Sequence, residues 1–170
     1  MISGIAYDAQ GNVAGLYNCP DILSLEMQKP AGGSVYEVPY ETIASNPFNF
    51  DPLRKMLCDR IDAAAEVARS KFITSSPGQA MTYIAKSAEA IAYRNDNTVP
   101  TPFLCAEAAA IGITVNELAS EVSHMTFLWE LNGSMIEATR RKAKIAVQTA
   151  ADDVKAIYAA SVVEWESLTA

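Results

Sequence analysis

The chain has 170 residues, 50% of them hydrophobic and 19% charged, with a formal net charge of −7. That length suits one ordinary domain or a small one joined to a larger one, and that composition suits a folded chain. An acidic balance argues against nucleic acid or anionic lipid as the main partner, since both are bound through clustered Lys and Arg.

Residues 1–45 read as β structure. "ISGIAYDA" and "NVAGLYNC" are short apolar runs separated by Gln10-Gly11-Asn12, a hairpin turn in which glycine tolerates positive φ. "ILSLEMQ" is expected to be a third strand, ending at Lys29-Pro30-Ala31-Gly32-Gly33, and "SVYEVP" a fourth. The glycine pair Gly32-Gly33 lacks the spacing of a phosphate-binding loop and reads as a turn. So small a sheet buries little surface by itself and must pack on something. "SNPFNFDP", residues 45–52, is rich in breakers and marks a boundary between a β docking module, residues 1–46, and a helical module, residues 52–170.

From Leu53 the period turns helical. Leu53, Met56, Leu57, Ile61, Ala64, Val67, Ala68 and Phe72 form one apolar stripe, on a helix of about five turns. Ser76-Pro77-Gly78-Gln79 is a capping box with proline at the first helical position, which explains that motif without a ligand. Met81, Ile84, Ala88 and Ile91 follow as the stripe expected to face the core. A proline-containing connector leads to "FLCAEAAAIG", a short helix expected to stop at Gly112, and Thr114 with Glu117 makes a second capping box.

Behind that box the apolar spacing runs far beyond a usual globular helix. Leu131-Asn132-Gly133 is the expected break or kink, because Ser134 and Glu137 form a further capping box. Trp129, Ile136, Ala143, Ala146, Ala150, Val154 and Ile157 follow spacings of three, four or seven and are expected to form a coiled-coil-like seam between copies. The fold expected is therefore α+β, mainly α: a small antiparallel β module, then a helical hairpin or bundle with a long C-terminal helix.

Chemistry has little to stand on. His124 is the single histidine and lies inside a helical run without a nucleophile elbow. Cys19, Cys58 and Cys105 are scattered and are expected to be reduced and mostly buried, so neither a metal nor a cofactor is expected. Residues 1–20 lack the pattern of a secretory signal, and no apolar run reaches the roughly 20 residues that span a bilayer. Asp152-Asp153 and the pair Glu164 and Glu166 read as solvated carboxylates. The basic group Arg140-Arg141-Lys142-Lys144 is expected to pair with acids of a neighbouring helix.

Three blocks in order, "RSKFITSSPGQAMTYIAKSAEAIAY", "PFLCAEAAAIGITVNELASEV" and, after a tryptophan, "IEATRRKAKIAV", carry a resemblance. Over residues 54–150 the chain resembles a helical module of bacteriophage proteins encoded beside or within tail-fibre genes. The resemblance implies a structural part of the virion tail region, made in the host cytoplasm, with other virion or tail-fibre proteins as partners and no enzymatic activity. It supplies no catalytic residues. A homo-oligomer is expected, a trimer before a dimer because fibre-related parts are commonly threefold. The alternative is a tail-fibre assembly chaperone that leaves the mature particle.

Overall fold

The computed structural model describes residues 1–72 and 77–166. It is α+β and mainly α, with a three-stranded antiparallel sheet followed by helices. Two compact units emerge: Met1–Ala63 with Arg140–Val163, and Ala64–Thr139 with the described residues from Glu164. The break in composition at 45–52 is therefore not where compactness divides the chain, because the sheet is covered by helical segments from both ends of the sequence.

In the first unit β1 (Ile2–Tyr7) is the central strand, with β2 (Val13–Cys19) and β3 (Ser34–Val38) on its two edges. The β1–β2 hairpin closes as expected. Asp8 accepts hydrogen bonds from the amides of Gln10 and Asn12 and from the Asn12 side chain, while Gly11 adopts φ +90°.

"ILSLEMQ" is a correction. It forms a short helix, α1 (Ile22–Glu26), whose first turn is capped by Asp21 accepting from the Ser24 amide at 2.8 Å. The reason is topological. Both edges of β1 are taken by β2 and β3, so the chain between them must cross the sheet face. α1 makes that crossing and seats the buried Leu25 over Gly4, where a Cβ would come within 2.3 Å of Leu25 Cδ1. The sheet thus has three strands and not four.

A one-turn helix, α2 (Tyr40–Ile43), follows, and then α3 (Asp51–Ser70). The buried line on α3 is Leu53, Leu57, Cys58, Ile61, Ala65 and Ala68, close to the expected stripe, but Val67 is exposed and Met56 and Ala64 are half-buried. In the segment between α2 and α3, Phe48 and Phe50 pack edge-on against each other at 6.3 Å.

α4 (Pro77–Asn95), α5 (Pro102–Ile111) and α6 (Val115–Thr149) build the second unit, with the last ten residues of α6 belonging to the first. Ser76 lies outside the described residues, so the first capping box is not described. Gly112 ends α5 in the left-handed conformation, φ +78°, as a glycine C-cap does. Thr114 and Glu117 make the reciprocal capping box, with the Glu117 amide donating to Thr114 Oγ1 and the Thr114 amide to Glu117 Oε2.

The break expected at residues 131–133 is absent, and α6 runs through it as one helix. Ser134 Oγ donates back to the Leu131 carbonyl in place of capping, and Glu137 is drawn away to Arg69 at 2.7 Å. A single glycine costs a helix roughly 1 kcal/mol relative to alanine, too little to break a helix anchored on both sides of it.

The helix ends at Thr149, before Val154 and Ile157 of the expected seam. Arg54 Nη2 donates to the Ala150 carbonyl at 2.7 Å and to Asp152 Oδ1 at 2.9 Å, and so closes its C-terminal end. Asp153 then caps α7 (Val154–Ala160) by accepting from the Ala156 amide. The two carboxylates read as solvated therefore terminate one helix and start the next. α7 lies on the sheet: the Tyr158 hydroxyl donates to the Glu37 carbonyl, Tyr158 packs on Tyr36, and Lys155 sits 4.3 Å from the Tyr7 ring centroid. Burial, the nearby Asp153 charge and Tyr36 push the Tyr7 hydroxyl up to about 12.

Candidate interaction surface

Ile136, Ala143, Val154 and Ile157 of the expected seam are buried inside the chain, and Trp129, Ala146 and Ala150 are half-buried. Ile136 packs on Ala65 and Ala68, with Phe72 and Trp165 beside them. Val147, which the spacing did not single out, is fully buried. The fully packed members, Ile136, Ala143, Val154 and Ile157, are spent on intrachain packing.

Two of the four side chains of the basic group are satisfied internally. Arg140 and Lys144 donate to the two carboxylate oxygens of Asp62, which fulfils the expected pairing with a neighbouring helix, while Arg141 and Lys142 are exposed. The Lys144 hydrogen bond, then that of Arg140, hold the Asp62 carboxyl below its ordinary 3.8. A folded-state value lower than the unfolded one adds stability above pH 3.8 that disappears as the pH falls below it. Asp62→Asn should flatten the acid limb of the stability curve, measured as urea midpoints over roughly pH 5 to 2.5. Identical slopes in the two proteins would mean that the triad is not formed in solution.

Among the described residues, α4 carries an uncovered apolar side. Its docked side is set by polar contacts: Glu89 accepts from the Phe103 and Leu104 amides at the start of α5, and Lys86 pairs with Glu107 at 2.7 Å. Between them Ala90 enters a buried cluster with Leu104, Ala108, Leu118 and Ala119, flanked by Tyr93. At about 100° per residue, positions 86, 89, 90 and 93 share one side, and 81, 84, 88 and 91 lie opposite. The stripe expected in the core therefore faces outward. Met81 is 73% exposed, Ile84 71% and Ile91 58%. Two helix-start hydrogen bonds and an ion pair have outweighed the apolar side in choosing which face docks. Ala90 is the single fully buried residue of this helix among the described ones.

Beside this stripe, α4 and α6 diverge around a groove of about 430 Å³. The Thr126 hydroxyl donates to Ser87 at 3.2 Å across it, Ile91 and Phe127 supply its apolar walls, and Arg94 and Glu130 line it as well. Phe127 is 61% exposed and Leu131, one turn on, is exposed too. Sequence reading singled out neither Phe127 nor the Arg94 and Glu130 charges. The 127/131 spacing of four was a legible signal, but it lies off the seam line.

No protein-family model matches the chain, and neither a curated protein nor a solved structure matches it. Among the described residues no group of His, Cys, Asp and Glu is placed to hold a metal ion. Cys19 and Cys58 are buried and Cys105 is exposed. No single described helix is long and apolar enough to cross a bilayer, and α5 and α6, which would be so together, are bent by 109° at their junction.

Proposed function

We propose that the chain is a structural protein of the bacteriophage tail or tail-fibre region, acting through surface contacts and without catalysis. The observation that carries this reading is the uncovered apolar side of α4, a helix of 19 residues with Ala90 as its one fully buried described side chain. A helix of that length is marginal in water unless an amphipathic face is packed, so it is best understood as half of an interface. The three-block resemblance supplies the kind of assembly. The β module offers a second contact, since edge strand β2 exposes Val13 and Leu16.

The same uncovered face suits the alternative, a fibre assembly chaperone that covers its client and departs. Quantitative mass spectrometry of purified phage particles separates the two. A virion part appears in fixed ratio to the tail proteins. Its absence from particles, with recovery on free fibre subunits, would replace the structural reading by the chaperone.

A further inference from the structure

We infer that the α4–α6 groove is a self-association surface, occupied by the same groove of a second copy of this chain about a twofold axis. This deepens the structural reading above, because it names the partner and the residues for the uncovered face. Its physical basis is the placement of two charges. α4 and α6 run antiparallel here: Ala90 packs with Leu118 and Ala119, while Ser87, earlier on α4, meets Thr126, later on α6. Arg94 lies beyond Ala90 toward the C-terminal end of α4, and Glu130 beyond Thr126 toward that of α6. The two residues thus mark opposite ends of one groove.

Neither charge is paired among the described residues, and both are exposed. A twofold axis through the middle of the groove exchanges its ends. It sets Arg94 of each copy against Glu130 of the other, two ion pairs from a single rule, with Ile91 and Phe127 meeting between them. An isologous contact demands this kind of self-complementarity. The apolar strip of Met81, Ile84 and Ala88 extends from Ile91 along the same side of α4 and lengthens the contact. The pairing is twofold, in place of the threefold assembly that the resemblance implies. It also leaves the intrachain burial of Ile136 and Ile157 intact.

The test is sedimentation equilibrium of the full chain across roughly 1 to 100 µM, a range that captures micromolar dissociation constants. The expected species is twice the 18.3 kDa chain mass. Ile91→Asp and Phe127→Asp lie at exposed positions and should give monomers with an unchanged circular dichroism spectrum. Arg94→Glu and Glu130→Arg should each weaken association by about tenfold or more, since like charges then face each other, and the double swap should restore it to within about threefold. A role in the fold alone would not produce that restoration. A monomer at the highest concentration overturns the proposal and gives the groove to a different protein. A trimer, a dimer indifferent to Ile91→Asp, or a swap that fails to restore association overturns it equally. A dimer that is missing from purified particles would instead sink the structural reading and leave this surface standing.

Discussion

Ile157→Asp is expected to unfold the sheet-bearing unit, and not to release intact subunits from an oligomer. Ile157 is fully buried on α7, next to the equally buried Val154, in a unit whose other buried side chains include Ile5, Val38, Leu53 and Val147. A carboxylate placed there must either stay charged without water or take up a proton. Leaving a charge buried and uncompensated costs roughly 3–5 kcal/mol, against a total stability for an ordinary domain of about 5–15 kcal/mol. Ile157→Val, which removes only a methylene, should cost about 0.5–1.5 kcal/mol and serves as the control. Urea denaturation followed by circular dichroism reads both. If Ile157→Asp kept the wild-type midpoint and merely halved or thirded the solution mass, its burial would be intermolecular. The seam expected from spacing would then be restored.

The contrast between α3 and α4 explains how much of this surface was legible in the sequence. Both carry an apolar stripe at helical spacing, and on α3 the stripe lies near the core, with Leu53, Leu57, Ile61 and Ala68 buried. On α4 the same signal points the wrong way. Periodicity tells which residues share a side, but the choice of docked side is a tertiary competition. Here it was decided by Glu89 reaching the α5 amides and by the small Ala90, which allows close approach. Neither residue advertises that role in a linear reading. Capping signals were more dependable where the surroundings agreed with them. Thr114 and Glu117 form their box, whereas Ser134 and Glu137 have the same pattern and do not, because Arg69 takes Glu137. The end of α6 was illegible for a similar reason: the group that closes it, Arg54, lies 96 residues away in sequence. The hairpin, β3, the Gly112 stop and the pairing of the basic cluster needed only local chemistry or charge, and these were readable.

Gly33→Ala should be the most damaging single methyl added to the sheet. A Cβ at Gly33 would lie 2.1 Å from the Tyr7 carbonyl oxygen and 3.2 Å from Pro30 Cβ. At Gly4 the corresponding clash is with Leu25, whose side chain can change rotamer. A backbone carbonyl has no such freedom. Tyr7 pairs with Ser34 in the β1–β3 ladder, and its ring also carries the Lys155 contact and an edge-on contact with Tyr36. Moving that carbonyl therefore pulls on the strand pairing and on the α7 contact together. Overpacking of a close-packed site costs about 1–3 kcal/mol, and the upper end applies where rotamers cannot relieve it. For a chain of this size that corresponds to a melting temperature lower by roughly 6–12 °C. Gly32→Ala is the informative comparison. Gly32 holds φ +69° with its nearest neighbour, Ala9 Cβ, at an ordinary 3.4 Å. Its cost is conformational only, about 1–2 kcal/mol for an L-residue in that region. Thermal melts should therefore rank wild type above Gly32→Ala and Gly32→Ala above Gly33→Ala. A reversed order would mean that the turn before β3 does not press against Tyr7, and that the φ of Gly32 limits this corner instead.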